Sequence, residues 1–167
     1  NSIYDISVSS SCPQWIVSVL VRDYGVDFTK SFLNDALSPP PLFIRLNTAK
    51  TDKETLINSL SFDGINAVSS VSDNSFKLEF NGSVEESTAY KKGLFYVQDI
   101  SCQQAVNMLD IKEKDRVLDL CAAPGGKSFT AALYAGNGSV ISCELYEHRA
   151  GLILKGAQRL GLKNITV

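Results

Sequence analysis

The sequence has one histidine, one methionine and one tryptophan in 167 residues, and no C-x-x-C pair among Cys12, Cys102, Cys121 and Cys143. A zinc site needs about four clustered nitrogen or sulfur ligands, so no metal is expected. Scattered cysteines fit a reduced, cytoplasmic protein better than a disulfide framework. No apolar run approaches the roughly 20 residues of a membrane span, so no membrane partner is expected. The opening residues Asn1-Ser2-Ile3-Tyr4-Asp5 lack the basic and apolar regions of a signal peptide. They also lack an initiator methionine, which points to a processed chain or a piece of a longer one. Basic charge is not in excess either: 16 Lys and Arg against 18 Asp and Glu give a formal net charge of −2. Strong nucleic-acid binders often carry a basic surplus, so any RNA contact is expected from a local patch or from residues outside this chain.

What is present is the composition of a globular protein, 44% hydrophobic and 20% charged, without repeats or low-complexity tracts. Residues 1–10 are Ser-rich and read as a tail or linker. Trp15, Ile16, Val19 and Leu20 fall at helical spacing in a segment that stops at Gly25, and a second helix is expected over residues 28–37. Ser38-Pro39-Pro40-Pro41 forbids helix. Leu42–Leu46 reads as a strand, residues 54–60 as a helix capped by Thr51 or Asp52, and 65–80 as two strands turning at Ser72-Asp73-Asn74. Residues 81–92 read as loop. The segment 11–92 is thus expected to be a helical and α+β (RRM-like) subdomain. From residue 93 an incomplete doubly wound, Rossmann-like domain begins. It has a helix over 100–109, a buried strand over 116–120, a turn, a helix over 128–134, a strand over 139–145 and a helix over 147–160. A third strand begins at Asn164. Alternating β and α elements imply a parallel sheet with crossover helices.

The chemistry is expected in the turn between the first strand and its helix, Cys121-Ala122-Ala123-Pro124-Gly125-Gly126-Lys127. Small residues let a ligand approach the backbone, and the helix start offers free N–H groups to an anion. About twenty residues on, Glu144 ends the next strand, where an acid can accept from both hydroxyls of a ribose. A dinucleotide pattern, G-x-G-x-x-G, does not match. A phosphate loop matches only at Gly126-Lys127-Ser128, because Cys121 stands where its first glycine would be. S-adenosylmethionine fits both features, its carboxylate at the helix start and its ribose at Glu144.

The segments Phe95-Tyr96-Val97-Gln98-Asp99-Ile100-Ser101-Cys102-Gln103 and Val117–Lys127 closely resemble the Sun (RsmB-type) family of ribosomal-RNA cytosine-C5 methyltransferases. Pro13-Gln14-Trp15 and Pro40–Asn47 are similar to the family's P-x-W and PP…R-x-N segments, so the likeness covers nearly the whole chain. Two positions depart from the pattern: Cys12 replaces a histidine or aromatic, and Glu144 replaces the usual Asp.

The resemblance implies an α/β methyltransferase that binds S-adenosylmethionine through Cys121–Lys127, Glu144 and Arg149, the last near the adenosine. It also implies ribosomal RNA as partner, with Arg45 and Asn47 as RNA contacts. In the family a cysteine of a T-C-S segment attacks C6 of cytosine, after a helper D-A-P-C-S-G segment. Both lie beyond the third strand, so this chain is expected to hold no catalytic residue and to be inactive alone. A transfer-RNA substrate and a non-catalytic RNA-binding module with a vestigial cofactor turn are the alternatives. Elsewhere the plainer readings hold. Cys121 is a small packing residue, Cys102 and Cys143 are core, and Trp15 is a core or interdomain anchor. His148 is exposed, and Arg149, Lys155, Arg159 and Lys163 form a solvated basic face. The first strand should have one unpaired edge, open to self-association.

Overall fold

A computed structural model describes residues 2–70, 72 and 74–167. The chain divides into two compact units, one up to Pro41 and one of Leu42–Val167.

The first unit holds three helices, α1 (Ile3–Ser9), α2 (Gln14–Tyr24) and α3 (Val26–Ala36). The expected tail is therefore a helix. The Ser2 hydroxyl accepts from the Asp5 amide while the Asp5 carboxylate accepts from the Ser2 amide, a reciprocal cap that satisfies two otherwise orphaned donors. Ile6, Val17 and Leu33 form its small buried core. Trp15 does not join that core: it is 70% exposed.

The second unit opens with β1 (Leu42–Leu46), α4 (Lys53–Phe62), β2 (Asn66–Ser69) and β3 (Ser75–Glu79). A 3-10 turn (Val84–Glu86) and α5 (Thr88–Lys91) occupy the stretch expected to be loop, and β4 (Phe95–Val97) follows. Part of the expected turn between β2 and β3, at Asp73, lies outside the described residues. The four strands form an antiparallel sheet in the order β2-β3-β1-β4. Ile44, Leu46, Leu56, Leu60, Phe76 and Phe95 fill its core. β4 was not expected from the sequence. It pairs with β1, Tyr96 opposite Arg45, so the sheet that begins at Leu42 is completed only by residues 95–97.

Next come α6 (Ile100–Asn107), β5 (Arg116–Asp119), α7 (Gly126–Ala135), β6 (Ser139–Ser142), α8 (Glu147–Leu160) and β7 (Ile165–Thr166). The last three strands form a parallel sheet in the order β5-β6-β7. Val117, Val140 and Ile165 are in register and pack with Val106, Ala131 and Ala132. The neighbouring register, Leu118 beside Ile141, points to the other face. There Leu118 is 57% exposed. β5 is thus covered on one face only, where the apolar run suggested burial on both. It pairs with β6 and, on its other side, with no strand among the described residues.

Candidate functional site

The strand β5 ends on Asp119, whose carboxylate organises the turn that follows. It accepts from the Ser128 hydroxyl at 2.8 Å and from the Cys121 amide at 3.3 Å. Ser142 at the end of β6 donates to Ser128 at 2.9 Å. Backbone bonds extend the link: Cys143 N–H to Asp119 O at 2.7 Å and Ala122 N–H to Cys143 O at 3.0 Å. The turn is therefore fastened to the ends of both strands.

Gly125 has a φ of 114°, and a Cβ there would lie 2.3 Å from Cζ of the Phe129 ring. Only glycine serves at that point. Gly125 also caps α7, and no side chain caps that helix. The first N–H groups of α7 consequently face the turn with the positive end of the helix dipole behind them.

Glu144 follows β6. Its side chain is 6% exposed and lies 3.5 Å from the Arg149 guanidinium. It also accepts from the Tyr146 amide at 3.2 Å. A second guanidinium nitrogen of Arg149 is 3.4 Å from Ala123 O. Arg149 thus joins the acid after β6 to the turn after β5. The structure brings Ala123 of the turn, Glu144 and Arg149 together. Cys121 is exposed, and Cys102 and Cys143 are only partly buried rather than core residues. Lys127 is exposed and lines a groove of about 420 Å³ beside Leu118, Leu120 and Ala131.

Behind the turn stands a buried set that sequence reasoning missed. Tyr96 and Thr130 share a hydrogen bond of 2.9 Å, and Thr130 donates to Gln98 Oε1 at 2.9 Å. Burial pushes the Tyr96 phenol well above the usual tyrosine range. The readable signal was Gln98 directly after the apolar run Phe95-Tyr96-Val97.

The two residues expected to touch RNA are turned inward. Arg45 is 2% exposed. It donates to Gln103 at 3.2 Å and to the Tyr134 hydroxyl. Asn47 is fully buried and donates to Gly93 O at 2.8 Å and Leu160 O at 2.9 Å. Neither can reach a phosphate from there, so their assignment as RNA contacts is corrected. A cation near the end of a strand reads alike whether it faces water or turns inward onto helices, as Arg45 does toward α6 and α7; tertiary packing decides. Arg159 is corrected for the same reason. Rather than lying on a solvated face, it stacks 3.7 Å over Tyr90 and donates to Tyr90 O and Phe95 O.

An antiparallel β-α-β-β-β sheet followed by the opening strands of a parallel Rossmann-like sheet, with a small-residue turn facing an acid, is the architecture of Sun-type methyltransferase chains. Residues 106–167 match the family model described as 16S rRNA methyltransferase RsmB/F, and residues 12–85 match the RsmF/B-like ferredoxin-like domain. The chain belongs to the RsmB/F family. It is 33% identical over 159 residues to the probable ribosomal RNA small subunit methyltransferase B of Bacillus subtilis strain 168, covering 94% of this chain and 35% of the relative. The corresponding Xylella fastidiosa (strain 9a5c) protein is 31% identical over 124 residues, 74% of this chain and 29% of the relative. The chain thus spans about a third of the length of these relatives. Among solved structures it superimposes on PH0851 with a TM-score of 0.90 at 27% identity, over 99% of this chain and 38% of that one. A methyltransferase homolog from Pyrococcus horikoshii shares the fold, with a TM-score of 0.86 at 23% identity over 98% of this chain and 54% of its own.

Proposed function

We propose that the chain is part of an S-adenosylmethionine-dependent RNA methyltransferase that forms 5-methylcytosine in ribosomal RNA. The carrying observation is the uncapped start of α7 facing a turn that Arg149 ties to Glu144. The polar groups suit this cofactor: the first amides of α7 donate to its carboxylate, and Glu144 accepts from the two ribose hydroxyls. Arg149 is the residue for the adenosine side. When bound, S-adenosylmethionine supplies an electrophilic methyl group. The residues of this chain bind and orient it.

Calorimetry with S-adenosylmethionine tests the reading. Glu144→Ala is expected to weaken binding by at least about tenfold; unchanged tight binding in that variant would remove Glu144 from the site. The 167 residues contain no Thr-Cys-Ser segment, and cytosine C5 takes a methyl group poorly without covalent activation at C6. The chain alone is therefore expected to transfer no label from S-adenosylmethionine to unmodified ribosomal RNA. The intact parent enzyme should label ribosomal RNA, and label in transfer RNA instead would replace the substrate proposed. The open edge of β5 supports a second proposed partner, another copy of the chain.

A further inference from the structure

The Phe129 ring lies between two glycines that are far apart in sequence. A Cβ on Gly125 would sit 2.3 Å from its Cζ atom, and a Cβ on Gly156 would sit 2.4 Å from the same atom. Tyr96 holds the ring from a third side, edge to face, with ring centroids 5.8 Å apart and planes at 84°. The ring is 5% exposed. Gly125 belongs to the turn of the proposed cofactor site, whereas Gly156 is in the interior of α8.

Glycine is a poor residue for a helix interior, because it gives up more backbone freedom than alanine. Gly151 in the same helix has no atom within 4 Å of its Cβ position. The crowding is therefore particular to Gly156 and is not a property of the helix.

We infer that Phe129 is the floor that sets the shape of the Cys121–Lys127 turn, and that Gly156 is a positioning residue which leaves room for that floor. An alanine at 156 pushes on the ring. If the ring moves toward the turn, it meets the Gly125 backbone. If it swings into the neighbouring cavity of about 450 Å³, lined in part by Tyr96, Pro124 and Leu152, the space under Gly125 empties. Both movements change the turn without any change in the residues that would touch a ligand. The inference rests on the cofactor reading only for its binding readout.

The test compares Gly156→Ala, Gly151→Ala, Phe129→Leu and the Phe129→Leu/Gly156→Ala double variant of the 167-residue chain. The first readout is the amide 1H and 15N shifts of Gly125 and Gly126, which need no ligand. Gly156→Ala should move them and Gly151→Ala should not. The second is S-adenosylmethionine affinity by calorimetry, expected to fall about tenfold in Gly156→Ala and to stay at the wild-type value in Gly151→Ala. The double variant should bind like Phe129→Leu alone, because the alanine no longer meets a ring; residues in direct contact couple in this way. Wild-type turn shifts in Gly156→Ala, or additive losses in the double variant, would overturn the inference. If the wild-type chain binds no S-adenosylmethionine, the cofactor reading fails, and the amide shifts still decide the role of Gly156.

Discussion

Arg45 lies over the ring of Tyr134, 5.3 Å from its centroid, and donates a hydrogen bond to its hydroxyl. Through this contact β1 of the antiparallel sheet grips α7, the helix that the Cys121–Lys127 turn opens. The guanidinium is buried, and among the described residues its partners are neutral: Gln103, Asn107 and Tyr134. Removing it leaves the buried Gln103 Oε1 without this donor, as well as a void. Arg45→Ala is expected to lower unfolding stability by about 3 kcal/mol, and Tyr134→Phe by about 1–2 kcal/mol, read from urea denaturation. A loss below about 0.5 kcal/mol in Arg45→Ala, the scale of a surface substitution, would return this residue to the solvent-exposed surface.

Asn47 makes the second tie. Its amide nitrogen donates to Gly93 O, before β4, and to Leu160 O, at the end of α8. Asn47→Ala leaves both carbonyls unpaired in a buried place, at a cost of about 2–3 kcal/mol. Asn47→Asp, nearly the same size, should be at least as damaging, since a carboxylate offers acceptors to acceptors. Thermal unfolding of the two variants settles this. An aspartate variant as stable as wild type would mean that the Asn47 side chain does not donate to those carbonyls.

How far the sequence reveals these features depends on the range of the interaction. α8 is legible to both ends, because its apolar spacing, its acidic first turn and the terminal Gly161 are all local. β4 is not. Three residues carry no period, and what makes them a strand is pairing with β1, some fifty residues earlier. α1 was hidden by serines that read as linker, although Ser2 and Asp5 already stood at capping spacing. In the site, the turn and Glu144 follow from a local strand–turn–helix pattern. Asp119, Tyr96 and Gln98 act through partners in other elements, and the inward course of Arg45 depends on helices that lie far along the chain.

Tyr96 gives the fold a dependence on alkaline pH. Burial raises its phenol above the ordinary value of 10.0, so the phenol keeps its proton in the folded chain after the unfolded chain has lost it. A group with a raised folded value contributes fully below the unfolded value, and the contribution is lost as pH rises. Stability should therefore fall above about pH 10, with Tyr96 accounting for up to about 1.4 kcal/mol per pH unit. Tyr96→Phe lowers stability at neutral pH by losing the bond to Thr130, yet should flatten the alkaline slope. Urea midpoints between about pH 9 and 11.5 for both proteins provide the comparison; equal slopes would mean that the phenol titrates alike in the folded and unfolded chains.

The edge of β5 leads to the last prediction. Along Arg116–Asp119 the strand pairs, among the described residues, with β6 only. Beside its other edge lies a groove of about 420 Å³ lined by Ala105, Val106, Leu109, Leu118, Leu120 and Ala131. Unpaired backbone groups beside apolar side chains invite a further strand, and the exposed Leu118 and Ile141 add an uncovered sheet face. A second copy of the chain meets both requirements. A two-fold axis perpendicular to the sheet keeps the helices of both copies on one face and can place Leu118 beside its own counterpart, which extends the sheet from three strands to six. The isolated chain is expected to self-associate, with mass from light scattering rising over a dilution series from micromolar to hundreds of micromolar. Leu118→Lys brings two cations together at the centre of that pairing, where like charges directly opposite destabilise a sheet, and should hold the chain monomeric. A wild-type chain that stays monomeric at every concentration and unfolds sharply would show that the β5 edge is not adhesive. A Leu118→Lys variant that still associates would move the interface elsewhere.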